Sequence, residues 1–336
     1  MSALRTAVVG CGLIGTRRAE QAASHPASDL VLVVDTNETA ARAAAERFGC
    51  AAATDWRAAV SHPSVDVVIA STPNKFLCEI AIAALEGGKH VLIEKPMGRD
   101  LADAEAIAAV AARARGRLKI GFNHRYHPAI RRAHARAQEI GAPIAIRARY
   151  GHGARPGYER EWRGNADLAG GGELTDQGVH VVDLIAWFAG IPQEAFAYLS
   201  TAVWPIAPLE DNAFGLLRYR SGCVATLHTS WTQWKNLFSF ELFGRDGSLA
   251  IDGLGGSYGT ERLTIAKRNP RGGAPEMHEE HFPEPDLSWR LEWEDFVEAI
   301  LHDRAYLGTP AEGLAVMRTI HALYASARDG VVVPIA

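Results

Sequence analysis

The sequence predicts an α/β protein of two domains. Residues 1–122 should form a parallel sheet covered by helices on both faces. Residues 123–336 should form a second α/β domain with a mostly antiparallel sheet. Three observations carry this. Near-continuous apolar runs alternate with alanine-rich helical stretches up to Asn123, as strands buried on both faces do. A glycine-punctuated turn joins the first run to the first helical stretch. After Asn123 long strands alternate polar with apolar residues, the mark of a sheet with one covered face.

The elements follow in order. "RTAVVG" reads as a strand and residues 13–25 as a helix; "LVLVVD" (30–35) is the second strand, and Thr39 to Phe48 a helix closed by Gly49. "VDVVIAS" (65–71) is a strand, followed by a helix from Phe76 to Glu86 that Gly87 and Gly88 stop. "HVLIEKP" (90–96), a helix from Ala102 to Arg115 and "LKIGFN" (118–123) complete the first domain. In the second, a helix at 128–140 precedes the strand "PIAIRARY" (143–150), and "GGGELTDQGVHVVDL" (170–184) opens a helix apolar almost all round. Strand-like runs then dominate, with "RDGS" and "RSGC" as turns. Residues 268–288, rich in Pro, Gly and Glu, read as an exposed loop or hairpin connection, and helices follow near 290–303 and 311–328.

Bulk properties narrow the function. The chain has 336 residues and a net charge of −4, with an isoelectric point near 6.4; that argues against a nucleic-acid surface. Cys11, Cys50, Cys78 and Cys223 lack CxxC spacing, so neither a disulfide framework nor a zinc site is expected. No apolar run reaches the ~20 residues of a membrane span. The expected location is the cytoplasm, with no membrane partner and no metal.

"GCGLIG" (10–15) is G-x-G-x-x-G placed between the first strand and the first helix. Gly10 permits the turn, Gly12 the approach of a pyrophosphate, and Gly15 helix–strand packing; Leu13 and Ile14 open the helix whose N-terminus faces the phosphates. Asp35 ends the second strand, twenty residues past Gly15, and can accept both ribose hydroxyls. Its charge would repel a 2′-phosphate, so a Rossmann domain binding NAD rather than NADP is expected. Loops beyond strand carboxyl ends touch the ligand in such sheets, which adds Ser71, Thr72, Pro73 and Asn74, and then Glu94 and Lys95. At that rim Lys95 is a candidate for polarising a substrate hydroxyl or carbonyl.

On a helix at ~100° per residue, Asp176, His180, Asp183 and Trp187 share one stripe. Carboxylates and imidazoles on an otherwise apolar helix need partners or a task. Asp183 is expected either to support a site residue or to be a structural partner. A metal held by His124, His127 and His180 is disfavoured, because no carboxylate stands at ligand spacing.

"GCGLIG" with Asp35, "TPN", "EKP", "GFNHRYHP", "EWRG" and "GGGELTDQGVHVVD" occur in this order. This resembles the Gfo/Idh/MocA family, named for glucose–fructose oxidoreductase and inositol dehydrogenase. The resemblance implies that residues 123–336 carry a large open, mostly antiparallel sheet for substrate binding and oligomerisation, in an oxidoreductase acting on a secondary alcohol or ketone of a sugar, sugar derivative or cyclitol. It implies Lys95, Asp176 and His180 as the catalytic set, and cofactor contacts from Asn123, Trp162 and Arg163. Leu77 stands where many members carry a His. Gly170 to Gly172 are expected to let the chain pass close to the nicotinamide. Other readings are a redox-cycling glycoside hydrolase or sugar–sugar hydride transferase with tightly held NAD, and a non-catalytic dinucleotide-binding sensor.

For the substrate, His124, Tyr126, His152, Arg155 and Tyr158 are expected to line the pocket with Lys95, Asp176 and His180. Arg155, between Gly153 and Pro156–Gly157, offers a bidentate fork that would suit an anionic sugar. Leu237, Phe238, Phe240, Leu242 and Phe243 suggest a homodimer or homotetramer formed through the open sheet.

Overall fold

A computed structural model of the chain describes residues 3–335. In chain order the elements are β1 (Leu4–Val9), α1 (Leu13–Ser24), β2 (Ser28–Val34), α2 (Glu38–Phe48), β3 (Ala51–Ala53), α3 (Arg57–Ser61), β4 (Val67–Ala70), α4 (Asn74–Glu86), β5 (His90–Glu94), α5 (Leu101–Ala111) and β6 (Leu118–Gly121). There follow α6 (Pro128–Arg136), β7 (Pro143–Gly151), α7 (Ala166–Ala169), α8 (Val179–Ala189), β8 (Glu194–Ser200), β9 (Asn212–Arg218), β10 (Val224–Ser230), β11 (Leu237–Gly244), β12 (Gly247–Asp252), β13 (Glu261–Lys267), β14 (Glu276–Phe282), α9 (Ser288–His302), α10 (Pro310–Asp329) and β15 (Val333–Pro334). The chain divides into two compact units, Met1–Phe122 with Trp289–Leu314, and Asn123–Ser288 with Ala315–Ala336.

The first unit is built on a six-stranded sheet ordered β3-β2-β1-β4-β5-β6, with every pairing parallel. All four residues of β4 are fully buried, which is why the strand reads as an unbroken apolar run. The order reverses between β1 and β4, and a ligand crevice opens beyond the carboxyl ends of strands at such a reversal. Asn37 caps α2 by accepting the Thr39 and Ala40 amides at 3.0 and 3.2 Å, and Gly49 ends it in the left-handed region.

Sequence reading assigns residues 289–314 to the second domain; in the fold they belong to the first. The cause is apolar burial. Trp293, Phe296 and Val297 of α9 pack with Leu4, Val8, Ala19, Leu30, Ile69 and Leu92 in one cluster. Beneath it lies a buried ion network: Arg18 Nε donates to Glu94 at 2.7 Å and Nη1 to Glu292 at 2.6 Å.

The second unit holds a nine-stranded sheet ordered β14-β13-β12-β11-β7-β10-β9-β8-β15. Only the β7–β10 pair is parallel. The period of two splits each strand between a buried and an open face. Ile146, Ala148 and Tyr150 of β7 are buried, while Arg147 and Arg149 are exposed. Phe238, Phe240 and Leu242 lie on the buried face, with Phe240 5.1 Å from the Phe188 ring of α8. They are core, so the expectation that they meet another subunit is corrected. The open face instead presents Tyr198, Phe214 and Leu216. The stretch 268–288 contains β14, an edge strand with little buried surface.

Candidate active site

The first unit offers a dinucleotide cradle. A side chain on Gly15 would place its Cβ 1.7 Å from the Gly10 carbonyl, and one on Gly10 would come within 2.5 Å of the Ser71 carbonyl. Close packing of the β1–α1 turn on the β4–α4 turn therefore demands both glycines. Gly12 differs, since a Cβ there would meet no protein atom within 4 Å. It heads α1 with no side-chain cap and no acidic residue in the first turn, leaving that turn's amides to an anion. Leu13 is exposed beside it.

Asp35 is held in place from two sides, its Oδ2 accepting the Cys11 amide at 2.8 Å and its Oδ1 the Asn37 amide at 2.9 Å. Burial, with Asp35 nearby, pushes the Cys11 thiol up to about 11, so it stays protonated. Across the turn, Ser71 Oγ and Thr72 Oγ1 are buried and, among the described residues, find no hydrogen-bond partner. Orphaned buried hydroxyls are uncommon without a ligand to meet them. These features fit a bound dinucleotide. Asn74 is buried at the start of α4. The Glu94 carboxylate accepts Arg18 Nε at 2.7 Å. Gly121 makes room for that pair, since a Cβ there would lie 2.7 Å from Arg18 Nη2. Lys95 follows directly, joined to Pro96 by a cis peptide bond.

In the second unit the triple-glycine segment has its own cause. A Cβ on Gly171 would come 2.1 Å from Thr175 Oγ1 and 2.3 Å from the Tyr324 hydroxyl; one on Gly172 would come 2.1 Å from the Glu210 carbonyl. Gly171 and Gly172 thus admit a buried network within this unit. Glu210 accepts the Gly172 amide at 3.2 Å, the Leu174 amide at 3.0 Å and the Tyr324 hydroxyl at 2.7 Å. Burial raises its carboxyl above the usual range.

Leu174–Gly178 then forms a wide π-type turn before α8 begins. Such turns break the 3.6-residue period and recur at functional sites. The expected stripe divides accordingly. Asp183 is fully buried and receives Arg125 Nε at 2.9 Å and Nη2 at 2.6 Å, the structural role the sequence suggested. Trp187 stacks on His134 at 3.7 Å. Asp176 and His180 take other partners. Arg163 Nε donates to Asp176 Oδ2 at 3.1 Å, and the Arg163 guanidinium lies 4.4 Å from the Trp162 ring. The His180 ring stacks on His124 with centroids 3.7 Å apart and planes 18° from parallel.

The remaining expected residues sort by burial. Asn123, His124 and Tyr126 are buried in a short helical turn; Asn123 donates Nδ2 to Ser288 Oγ at 3.0 Å. His127 is bound to Glu261 through Nδ1 at 2.6 Å. His152 Nδ1 accepts the Ala154 amide at 2.9 Å, which leaves the ring hydrogen on Nε2, and burial holds its pKa down. Tyr158 is core, packed with Ile206, Leu209 and Trp231. Arg155 is exposed and paired with Glu161. Sequence reading missed Gln177, whose Nε2 donates to the Tyr258 hydroxyl at 3.1 Å. It also missed Glu210 and Tyr324; only the unexplained run of glycines hinted at them.

Comparison with known proteins agrees with this architecture. Residues 4–122 match the family described as oxidoreductase family, NAD-binding Rossmann fold, and residues 130–250 match the GFO/IDH/MocA C-terminal domain. The chain is 29% identical over 251 residues to levoglucosan dehydrogenase of Pseudarthrobacter phenanthrenivorans, covering 66% of this chain and 64% of that protein. It is 36% identical over 222 residues to 1,5-anhydro-D-fructose reductase of Ensifer adhaerens, covering 63% and 64%. The aligned stretch thus spans just under two thirds of either relative. A solved structure of levoglucosan dehydrogenase in complex with NADH and levoglucosan superposes with a TM-score of 0.89 at 25% identity, covering 99% of this chain and 100% of that one. Both modules match in the order the fold displays, and the chain belongs to the Gfo/Idh/MocA family of oxidoreductases.

Proposed function

We propose that the chain is an NAD-dependent dehydrogenase, or the corresponding ketone reductase, acting on a secondary alcohol of a sugar, sugar derivative or cyclitol. The observation that carries this reading is the pairing of Asp176, held by Arg163 at 3.1 Å, with His180, four residues further along the same turn-and-helix. A dinucleotide cradle in the same chain and relatives named as sugar dehydrogenases and reductases support it.

The first-turn amides of α1, the Ser71 and Thr72 hydroxyls and Asp35 hold the dinucleotide, which supplies the two-electron acceptor or donor when bound. Asp35 selects NAD over NADP. In the oxidative direction His180 takes the proton of the substrate hydroxyl. Lys95 donates a hydrogen bond to the same oxygen and steadies its developing charge. Asp176 orients the substrate, and His152 offers its Nε2–H to a substrate hydroxyl. Arg155 and Arg163 of the 155–163 segment are each matched by a carboxylate, Arg155 by Glu161 and Arg163 by Asp176. That balance favours a neutral sugar or cyclitol over the anionic one the sequence suggested.

The test is a panel of neutral, carboxylated and phosphorylated sugars and of inositols, scanned with NAD for NADH absorbance. Lys95→Ala and His180→Ala should each lower turnover by ~10²-fold or more with little change in NAD affinity. No turnover of any panel member, or near-normal turnover by His180→Ala, would overturn the reading.

Two further assignments belong with it. The open sheet face around Tyr198 (69% exposed), Phe214 and Leu216 is the surface proposed to pair protomers in a homodimer or homotetramer. A cytoplasmic location is proposed from four cysteines that are all free thiols in the fold; cell fractionation tests it.

A further inference from the structure

We propose that His124 is a positioning residue for His180, the flat floor on which the proton-accepting ring is held. The proposal rests on the functional reading above for the word proton-accepting, and on geometry for the rest. Both imidazoles are 6% exposed, and their 3.7 Å stack brings them into face-to-face contact. A histidine near the start of a helix keeps a broad, two-fold freedom about its terminal torsion. Contact with a second flat ring across its whole face removes that freedom.

The floor is itself fixed. Asn123 donates its Nδ2 hydrogen to Ser288 Oγ, so its Oδ1 is the acceptor turned toward His124. His124 Nδ1, 3.2 Å from that oxygen, therefore carries a hydrogen. Three more rings close around His124: Tyr150 at 5.3 Å, His127 at 5.5 Å and Phe238 at 6.2 Å. His127 is locked by its 2.6 Å bond to Glu261, and Glu261 in turn accepts the Ala129 and Gly255 amides at 3.1 and 2.9 Å. Each wall of the box is held by a different element, so the His180 plane is set before any substrate arrives.

The stack also acts on charge. Two protonated rings at this separation would repel.

The test compares His124→Phe, which keeps a flat ring, with His124→Leu, which fills space without one. Thermal melting and NADH binding show which variants fold. In the resting enzyme, histidine-labelled NMR reads the His180 ring resonance, assigned by its loss in His180→Asn. It should stay displaced by the neighbouring ring current in His124→Phe and move to an ordinary position in His124→Leu. With a turned-over sugar, kcat should fall ~10-fold or more in His124→Leu, as misplacement of a reacting group does. The fall in kcat should be much smaller in His124→Phe than in His124→Leu, with NADH affinity unchanged in both. A leucine variant that keeps both the displaced resonance and kcat overturns the proposal. So does a folded phenylalanine variant that loses turnover as a leucine would, and this arm remains decisive if His124→Leu does not fold. The resonance needs no turnover, so failure of every sugar would count against the dehydrogenase reading while the stack is still judged on its own.

Discussion

Arg163 Nε lies 3.1 Å from Asp176 Oδ2, tying the segment that carries Trp162 to the π-type turn that leads into His180. The pair is partly shielded from solvent, with side-chain exposures of 27% and 14%. Asp176 also raises the Arg163 pKa, so the guanidinium is a permanent charge. Arg163→Ala should release the carboxylate and lower kcat/KM by ~10-fold or more, as truncating one member of a shielded charge pair does. Steady-state kinetics with a turned-over sugar checks this; an unchanged kcat/KM would show that Asp176 needs no such anchor.

Cofactor choice should turn on Asp35. Its two oxygens are fixed by the Cys11 and Asn37 amides, so the negative charge cannot swing away from a 2′-phosphate. Asp35→Ser combined with Thr36→Arg should shift the ratio of kcat/KM toward NADP. Equal use of NAD and NADP by the unaltered enzyme would refute the premise.

Gly171→Ala should destabilise the second unit. The added methyl would collide with Thr175 Oγ1 and the Tyr324 hydroxyl, and overpacking of this kind costs ~1–3 kcal/mol. Denaturant or thermal unfolding measures it. A neutral result would mean that the segment shifts freely.

Glu210 gives a pH dependence of known sign. Burial, the largest influence on it, raises its carboxyl above the ordinary 4.5. A carboxyl that binds its proton more tightly when folded adds stability at low pH, and that stability is withdrawn as pH rises through the raised value. Glu210→Gln should remove this contribution and flatten the fall of melting temperature from about pH 4.5 upward, at the expense of one backbone hydrogen bond. An unchanged slope would assign the dependence elsewhere.

The open sheet face should carry self-association. Tyr198, Phe214 and Leu216 are large apolar residues exposed together, a combination that marks an interaction surface. Phe214→Asp should shift the solution mass toward the monomer by light scattering. A monomeric unaltered protein would remove the surface from consideration.

How far the sequence revealed all this varies with the physics of each part. The alternating strands and helices of the first unit were legible because parallel strands are apolar on both faces, as Val67–Ala70 are. The G-x-G-x-x-G turn was legible because its glycines answer to sterics within a few residues. The placement of α9 was not, since an amphipathic helix does not announce which core receives Trp293 and Phe296. Nor was β14, whose "EMHEEHF" is polar on both faces of an edge strand. The stripe through Asp176, His180 and Asp183 assumed a regular helical period, and the π-type turn breaks it. Arg125, the partner of Asp183, lies 58 positions away in sequence, a distance no local pattern bridges.

The insertion of α9 into the first unit has a consequence for how the protein is made. Strands β1 to β6 leave the ribosome early, yet the cluster around Leu4, Val8 and Ile69 stays open until Trp293, Phe296 and Val297 have been synthesised. During that interval an apolar sheet face is uncovered while residues 123–288 of the second unit are still emerging, a state prone to association with other nascent chains. A fragment ending at Phe122 should accordingly bind a hydrophobic dye and melt without cooperativity, and adding residues 289–314 through a flexible linker should restore both a closed core and a sharp transition.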